Sequence, residues 1–251
     1  MIYLDNAATT KPCDEAKAAV MKGLEVFGNP SSLHRAGLDA ELLVSDAREV
    51  IADALSVTPD EVYFTSGATE SNNTAIFGAY KAHGKRKKRV VISSVEHPAV
   101  KNPAQELEDM GCEVIRISPD ENGEINARDI FAAVNEDTFL VSCMLVNNEN
   151  GYILPVEKAF SMIKKKYPQV LTHCDCVQGF MKIPVKAKKL NADMISLSGH
   201  KIYAPKGIGA LYVKKGVHIP PFMLGGGQEK GFRSGTESVP LICGFGAAVK
   251  K

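Results

Sequence analysis

A lysine among small residues at the end of an apolar run is an unusual place for a solvated cation. Ser196-Leu197-Ser198-Gly199-His200-Lys201 is such a place. Burial lowers a lysine's basicity and favours the nucleophilic amine. Ser198 and His200 beside it suit a phosphate. Lys206 competes for the role, but Pro205 and Gly207 around it read as a turn. Four more polar clusters stand out. Thr65-Ser66-Gly67-Ala68-Thr69-Glu70-Ser71-Asn72-Asn73 offers a glycine, the hydroxyls of Ser66 and Thr69, and the free amides of a helix start. Those suit a phosphate, though the same residues also read as an ordinary helix cap. Val95-Glu96-His97-Pro98 holds a histidine that proline keeps out of the following helix, either an acid/base, a stacking ring or a bland loop residue. Val146-Asn147-Asn148-Glu149-Asn150-Gly151 carries consecutive amides that serve a ligand oxygen or simply a turn. His173-Cys174-Asp175-Cys176-Val177-Gln178 pairs a carboxylate with an amide donor. A zinc reading of His173, Cys174 and Cys176 is disfavoured. Alternation along a strand sends the two thiols to the face opposite Asp175, and the spacing is not that of a knuckle.

These clusters need a frame. Apolar patterning predicts strands at 61–65, 89–93, 112–117, 138–146, 170–175, 194–197 and 209–213, and helices at 41–57, 69–80, 98–110, 127–135 and 156–167. The strands are continuous apolar runs alternating with helices over short connections. That pattern predicts an α/β fold with a mostly parallel sheet covered by helices on both faces. In such sheets ligands sit beyond the carboxyl ends of the strands, which is where all five clusters fall. There is no solenoid repeat or low-complexity linker, and the run Lys85-Arg86-Lys87-Lys88-Arg89 reads as a solvated turn.

The 251 residues suffice for one large domain, and 45% hydrophobic with 24% charged residues excludes bulk disorder. Thirty basic against 29 acidic residues give a net charge of +1, so composition lends no support to a nucleic-acid-binding surface. No apolar run approaches the ~20 residues that span a bilayer. The first residues do not read as a secretory signal, and six scattered cysteines do not form a disulfide framework. A cytoplasmic location is the expectation.

Read together, the clusters ask for one ligand: a phosphate, a ring nitrogen that wants a carboxylate, a ring oxygen that wants donors, and an aldehyde that wants a lysine. Pyridoxal 5'-phosphate has those parts. The stretches Tyr3-Leu4-Asp5-Asn6-Ala7-Ala8-Thr9-Thr10, Gly28-Asn29-Pro30-Ser31-Ser32-Leu33-His34, 64–73, Glu96-His97, Asn147-Asn148-Glu149, 173–178, 198–201 and Arg233-Ser234-Gly235-Thr236 resemble, in order, the cysteine desulfurases. These are class V aminotransferases of fold type I. The resemblance implies that Lys201 holds the cofactor as an internal aldimine. It implies that His97 stacks on the ring and assists proton transfer, and that Asp175 pairs with the ring nitrogen. Gln178 and Asn148 are expected at the ring oxygen or the substrate. Ala68, Thr69, Ser198 and His200 are expected at the phosphate, with Gly199 in the same loop. Thr236 is expected to reach the neighbouring subunit's phosphate, which implies a homodimer. The implied reaction removes sulfur from L-cysteine, leaving L-alanine and an enzyme persulfide for iron–sulfur cluster assembly or another sulfur acceptor, with a sulfur-acceptor or scaffold protein as the implied partner.

Family members continue past residue 251 into a small C-terminal domain that carries the persulfide-forming cysteine and a substrate-binding arginine. Residues 1–251 are therefore expected to be the cofactor-binding large domain, from a truncated product, a fragment or one half of a split enzyme. Such a domain is expected to expose apolar surface and to aggregate or recruit a partner through it. Cys13, Cys112, Cys143, Cys174, Cys176 and Cys243 all read as small buried or incidental residues. Other readings are a selenocysteine lyase or another class V enzyme, a non-catalytic partner that binds the cofactor or dimerises, and an α/β binding module without cofactor.

Overall fold

The apolar runs between the polar clusters become the strands of a single sheet. The computed structural model describes residues 2–251. The strands are β1 (Val62–Thr65), β2 (Arg89–Ser93), β3 (Glu113–Ile117), β4 (Thr138–Ser142), β5 (Leu171–Asp175), β6 (Met194–Ser198) and β7 (Gly209–Val213). Their order is β1-β7-β6-β5-β4-β2-β3. All neighbouring pairs are parallel except those of β7, which runs antiparallel to β1 and β6. The sheet is thus mostly parallel, as the alternating pattern predicts.

Strand alternation divides the core in two. Val90, Ile92, Leu140, Leu171 and Leu211 pack under α3 (Ala68–His83) and α4 (Pro98–Asp109). Val91, Val141, Cys174, Ile195 and Leu197 belong to the larger core with α2 (Arg35–Leu55), α5 (Ala127–Ala132), α6 (Val156–Lys166) and α8 (Val239–Lys250). Residues two apart share a face, so His173 and Asp175 lie with Leu171 on the α3 side, and Cys174 lies opposite. The described residues contain no helix long and apolar enough to cross a membrane.

Several boundaries differ from expectation. The strand expected over 138–146 ends at Ser142. Beyond it the Glu96 carboxylate takes the Met144 N–H at 2.7 Å, so the chain parts from β2. Bonds toward β5 persist, with the Cys143 and Leu145 N–H groups donating to the His173 and Asp175 carbonyls at 3.1 and 2.9 Å. The helix expected over 41–57 begins at Arg35, because the His34 ring accepts the Gly37 N–H and caps it. It ends at Leu55, with Ser56 in the left-handed region at φ 58°. The helix expected over 127–135 stops at Ala132.

Helix α1 (Asp14–Glu25) lacked an apolar stripe to announce it. It buries only Ala16 and Gly23, while Met21 and Leu24 face solvent. Gly23 lies so close to α8 that a Cβ there would stand 2.7 Å from the Pro240 Cα, so the helix packs through a missing side chain. The short α7 (Ala187–Leu190) was likewise unmarked. Along α1, α2 and their link, Met21, Leu24, Phe27, Leu33, Leu38 and Leu42 are exposed.

Candidate active site

Every parallel strand of the sheet's centre ends at the same edge, and the clusters predicted to carry chemistry follow those ends. They surround a cavity of about 640 Å³. Ala68, Thr69, His97, Asn148, Asp175, Gln178, Ser198, His200 and Lys201 all line it. Gly199 and Thr236 do not. Gly199 is buried at the turn after β6, and Thr236 is exposed on the loop before α8.

One wall is the start of α3. Gly67 precedes the helix at φ 152°, a conformation that disfavours a side chain. A Cβ at Gly209 of β7 would lie 2.8 Å from the Gly67 backbone, so these two glycines let strand and turn touch. The first-turn amides of an α-helix have no partner within it and carry the positive end of its dipole. Here they open on the cavity beside Ser66 and Thr69. The Glu70 carboxylate accepts the Ser66 N–H at 2.8 Å and is gripped by Arg233 at 2.8 and 3.2 Å. Burial raises the Glu70 pKa, but the bonds from Arg233 and Ser66 outweigh it and hold the group below its ordinary value. That pair also ties the loop carrying Thr236 to the α3 turn.

A second wall is the end of β5. Asp175 is buried, accepting from the Asn72 amide at 2.8 Å and the Val177 N–H at 3.0 Å. Burial raises its pKa, against the pull of those two bonds and of the Lys201 charge. Two donors leave its carboxylate with spare acceptor capacity. The Asn72 Oδ1 is itself buried and without a partner. These free acceptors therefore suit a cationic ring N–H.

His97 caps α4, and its Nδ1 accepts the Ala99 N–H at 3.1 Å. That bond leaves the proton on Nε2. Its neighbour Glu96 is wholly buried between the Ser93 hydroxyl at 2.5 Å and the Met144 N–H. Burial pushes the Glu96 carboxyl up to about 8, against those two bonds.

Lys201 follows β6 in a single helical turn, and its Nζ donates to the Ala7 and Ala8 carbonyls at 2.5 and 2.8 Å. Burial lowers its pKa, with Asp5 and Asp175 pulling the other way. The His200 Nδ1 lies 3.0 Å from the Thr9 hydroxyl, and burial followed by the Lys201 and Lys206 charges depresses its pKa. The Thr10 N–H donates to the His200 carbonyl at 2.9 Å, so the N-terminal stretch is laced across the lysine's loop. Lys206 also faces the cavity, in a turn with Gly207 at φ 87°.

The parts fit pyridoxal phosphate: unpartnered helix amides for the phosphate, a buried carboxylate for the ring nitrogen, and an amine of lowered basicity between them. None of the six cysteines lines this cavity, and none is paired in a disulfide. The Cys174 and Cys176 sulfurs lie 3.5 Å apart within the larger core. Sequence reasoning missed Asn72, which sits inside the α3 motif but one turn beyond the residues chosen for phosphate. It also gave no role to the backbone of Ala7 and Ala8, because carbonyl positions leave no mark on residue type.

The family model for aminotransferase class-V matches residues 2–251. A protein of Lactobacillus delbrueckii subsp. bulgaricus, described as a NifS/IcsS protein homolog, is 46% identical over the whole of this chain and 65% of its own length. A cysteine desulfurase IscS of Dictyoglomus turgidum is 44% identical over 99% of this chain and 63% of its own. Among solved structures, a NifS-like protein superposes with a TM-score of 0.96 at 42% identity, over 99% of this chain and 68% of that one. A structure titled SspA in complex with cysteine gives 0.96 at 39%, over 100% and 72%. The chain thus spans about two thirds of the proteins it resembles.

Proposed function

Because the chain belongs to the aminotransferase class-V family, we propose that its cavity binds pyridoxal 5'-phosphate for the removal of sulfur from L-cysteine. The observation that carries this reading is the convergence of Lys201, Asp175, His97 and the α3 N-terminus on one cavity. On this reading the 251 residues are the cofactor-binding large domain of a cysteine desulfurase.

Bound pyridoxal phosphate supplies an electron sink for carbanion chemistry at an amino acid's α-carbon. The α3 amides and the Ser66 and Thr69 hydroxyls bind its phosphate, with Ser198 and His200 closing the cup. Asp175 keeps the ring nitrogen protonated, and the bonds from Asn72 and Val177 keep that carboxylate aimed. His97, with its proton on Nε2, would stack on the ring. Lys201, lowered in basicity by burial, is the nucleophilic amine that would hold the cofactor and the base placed to take the α-proton of the substrate. Asn148 contacts the ring oxygen or the substrate. The sulfur needs a thiol acceptor, and no cysteine of this chain faces the cavity. A thiol from another segment, a partner protein or solution completes the reaction, with sulfur passing to iron–sulfur cluster assembly or other carriers. A reducing, cytoplasmic setting accords with six free cysteines.

The test is the absorbance of the purified chain with pyridoxal phosphate, wild type beside Lys201→Ala, with alanine and sulfide release from cysteine measured with and without added thiol. A visible band in wild type and none in Lys201→Ala is expected, with sulfide release dependent on added thiol. No band in either protein would overturn the cofactor reading.

A further inference from the structure

Gln178 lines the cavity, yet a glutamine's side chain ends in a donor on one side and an acceptor on the other. Which end faces a ligand depends on what holds the amide. Lys182, outside the cavity lining, donates from Nζ to the Gln178 Oε1 at 2.8 Å. The Gln178 Nε2 donates to the Ala7 carbonyl at 2.8 Å. An ammonium only donates and a carbonyl only accepts, so both partners demand the same orientation. Turning the amide over would set ammonium against NH2 and carbonyl against carbonyl.

We propose that Lys182 is a positioning residue that fixes the Gln178 amide so that it presents an N–H to the cavity. Nε2 carries two hydrogens. One goes to Ala7, and the other remains for a ligand oxygen. With Oε1 held by Lys182, the group that Gln178 turns to the cavity is a donor. It therefore selects an electron-rich oxygen, such as an ionised ring hydroxyl, over a hydrogen-bond donor at that position. The inference rests on the reading of the cavity as a pyridoxal phosphate site and assigns the device that orients one of its contacts.

The local backbone is shaped for this pairing. Lys182 follows Gln178 by four residues in an irregular turn, where the Lys182 and Ile183 N–H groups both donate to the Gly179 carbonyl at 3.0 Å. Met181 between them adopts φ 58°, a left-handed conformation that costs energy for a side chain of its kind. Lys182 makes no ion pair among the described residues, and the Gln178 bond is the one its ammonium forms. The Ala7 carbonyl that anchors Gln178 also accepts from Lys201 at 2.5 Å, so the amide and the reactive amine share one backbone acceptor. Burial and the neighbouring Lys201 charge both lower the pKa of Lys182.

The experiment compares Lys182→Met, Lys182→Arg, Gln178→Ala and the Lys182→Met/Gln178→Ala double variant. The first readout needs no cofactor. The side-chain amide signals of Gln178, assigned by their loss in Gln178→Ala, are recorded by 15N–1H NMR of the cofactor-free chain. In wild type and Lys182→Arg they are expected to be a dispersed pair, and in Lys182→Met they move to the positions of a free glutamine. The second readout is pyridoxal phosphate affinity and the pH midpoint of its visible band. Lys182→Met is expected to weaken binding about fivefold, the scale of one hydrogen bond, and Lys182→Arg to restore it. Lys182→Met is expected to add nothing further in the Gln178→Ala background. Unchanged amide signals in Lys182→Met would overturn the proposal. So would a shift in band midpoint of equal size with and without Gln178, which would mean that Lys182 acts through its charge. If wild type binds no pyridoxal phosphate, the cofactor reading falls, and the amide signals still decide whether Lys182 orients Gln178.

Discussion

His173 sits wholly buried between the Ser142 hydroxyl at 2.8 Å and the Ser196 hydroxyl at 2.9 Å, linking three adjacent strands. Burial depresses its pKa from 6.5 to about 3. Between those values the unfolded chain binds more protons than the folded one, so stability grows as pH rises and is lost as pH falls. Glu96 acts in the opposite sense. Its pKa rises from 4.5 to about 8, so the folded chain binds more protons and stability falls as pH climbs through that window. Each group contributes a limiting slope of about 1.4 kcal/mol per pH unit. Urea unfolding across pH is expected to reveal an acid limb below about 4.5 from His173 and an alkaline limb from 6.5 to 8 from Glu96, with near cancellation between. His173→Gln should flatten the first and Glu96→Gln the second. Limbs that persist in both variants would assign the pH dependence to other groups.

At the scale of elements, the loop between β7 and α8 is held by a buried ion pair. Arg48 of α2 meets Glu229 at 2.7 and 2.8 Å and also donates to the Val62 carbonyl. Glu229 accepts the Phe64 N–H of β1 as well, and the Arg48 guanidinium lies over the Phe64 ring. Helix, edge strand and loop thus meet at one carboxylate that is 1% exposed. Removing one partner of such a pair strands a buried charge. Glu229→Ala is expected to lower unfolding stability by about 3–5 kcal/mol in denaturant titration. Replacing Arg48 and Glu229 together with Met and Leu is expected to cost much less. Equal losses would mean that the interactions with the backbone, rather than the charge pair, carry the stability.

At the scale of the whole molecule, Arg233 binds Glu70 while Thr236, three residues on, is exposed and outside its own chain's cavity. That position suits a residue serving a neighbouring copy. If two copies pair as the resemblance implies, Thr236→Ala is expected to weaken pyridoxal phosphate binding several-fold. Mixing it with Lys201→Ala chains is expected to restore one tight site per mixed dimer, since one chain then supplies Lys201 and the other Thr236. Light scattering of the free chain reports whether it pairs at all. A monomer that binds the cofactor equally well with Thr236→Ala would remove the subunit-bridging role.

Residue type and spacing determined the α/β class, the parallel sheet and most strand positions, because doubly covered strands are apolar runs bounded by polar turns. They also marked Lys201, Asp175, His97 and the α3 turn, since ligand chemistry at strand ends concentrates unusual side chains in short stretches. Tertiary structure alone decided the rest. The reversed β7 is an apolar run like its parallel neighbours, and nothing in its composition declares its direction. Helix α1 packs through Gly23 and Ala16, which leave no hydrophobic period to read. The clasp of Ala7, Gln178, Lys182 and Lys201 joins positions more than 170 residues apart through a backbone carbonyl, and the orientation of an amide is set by such partners rather than by its own identity.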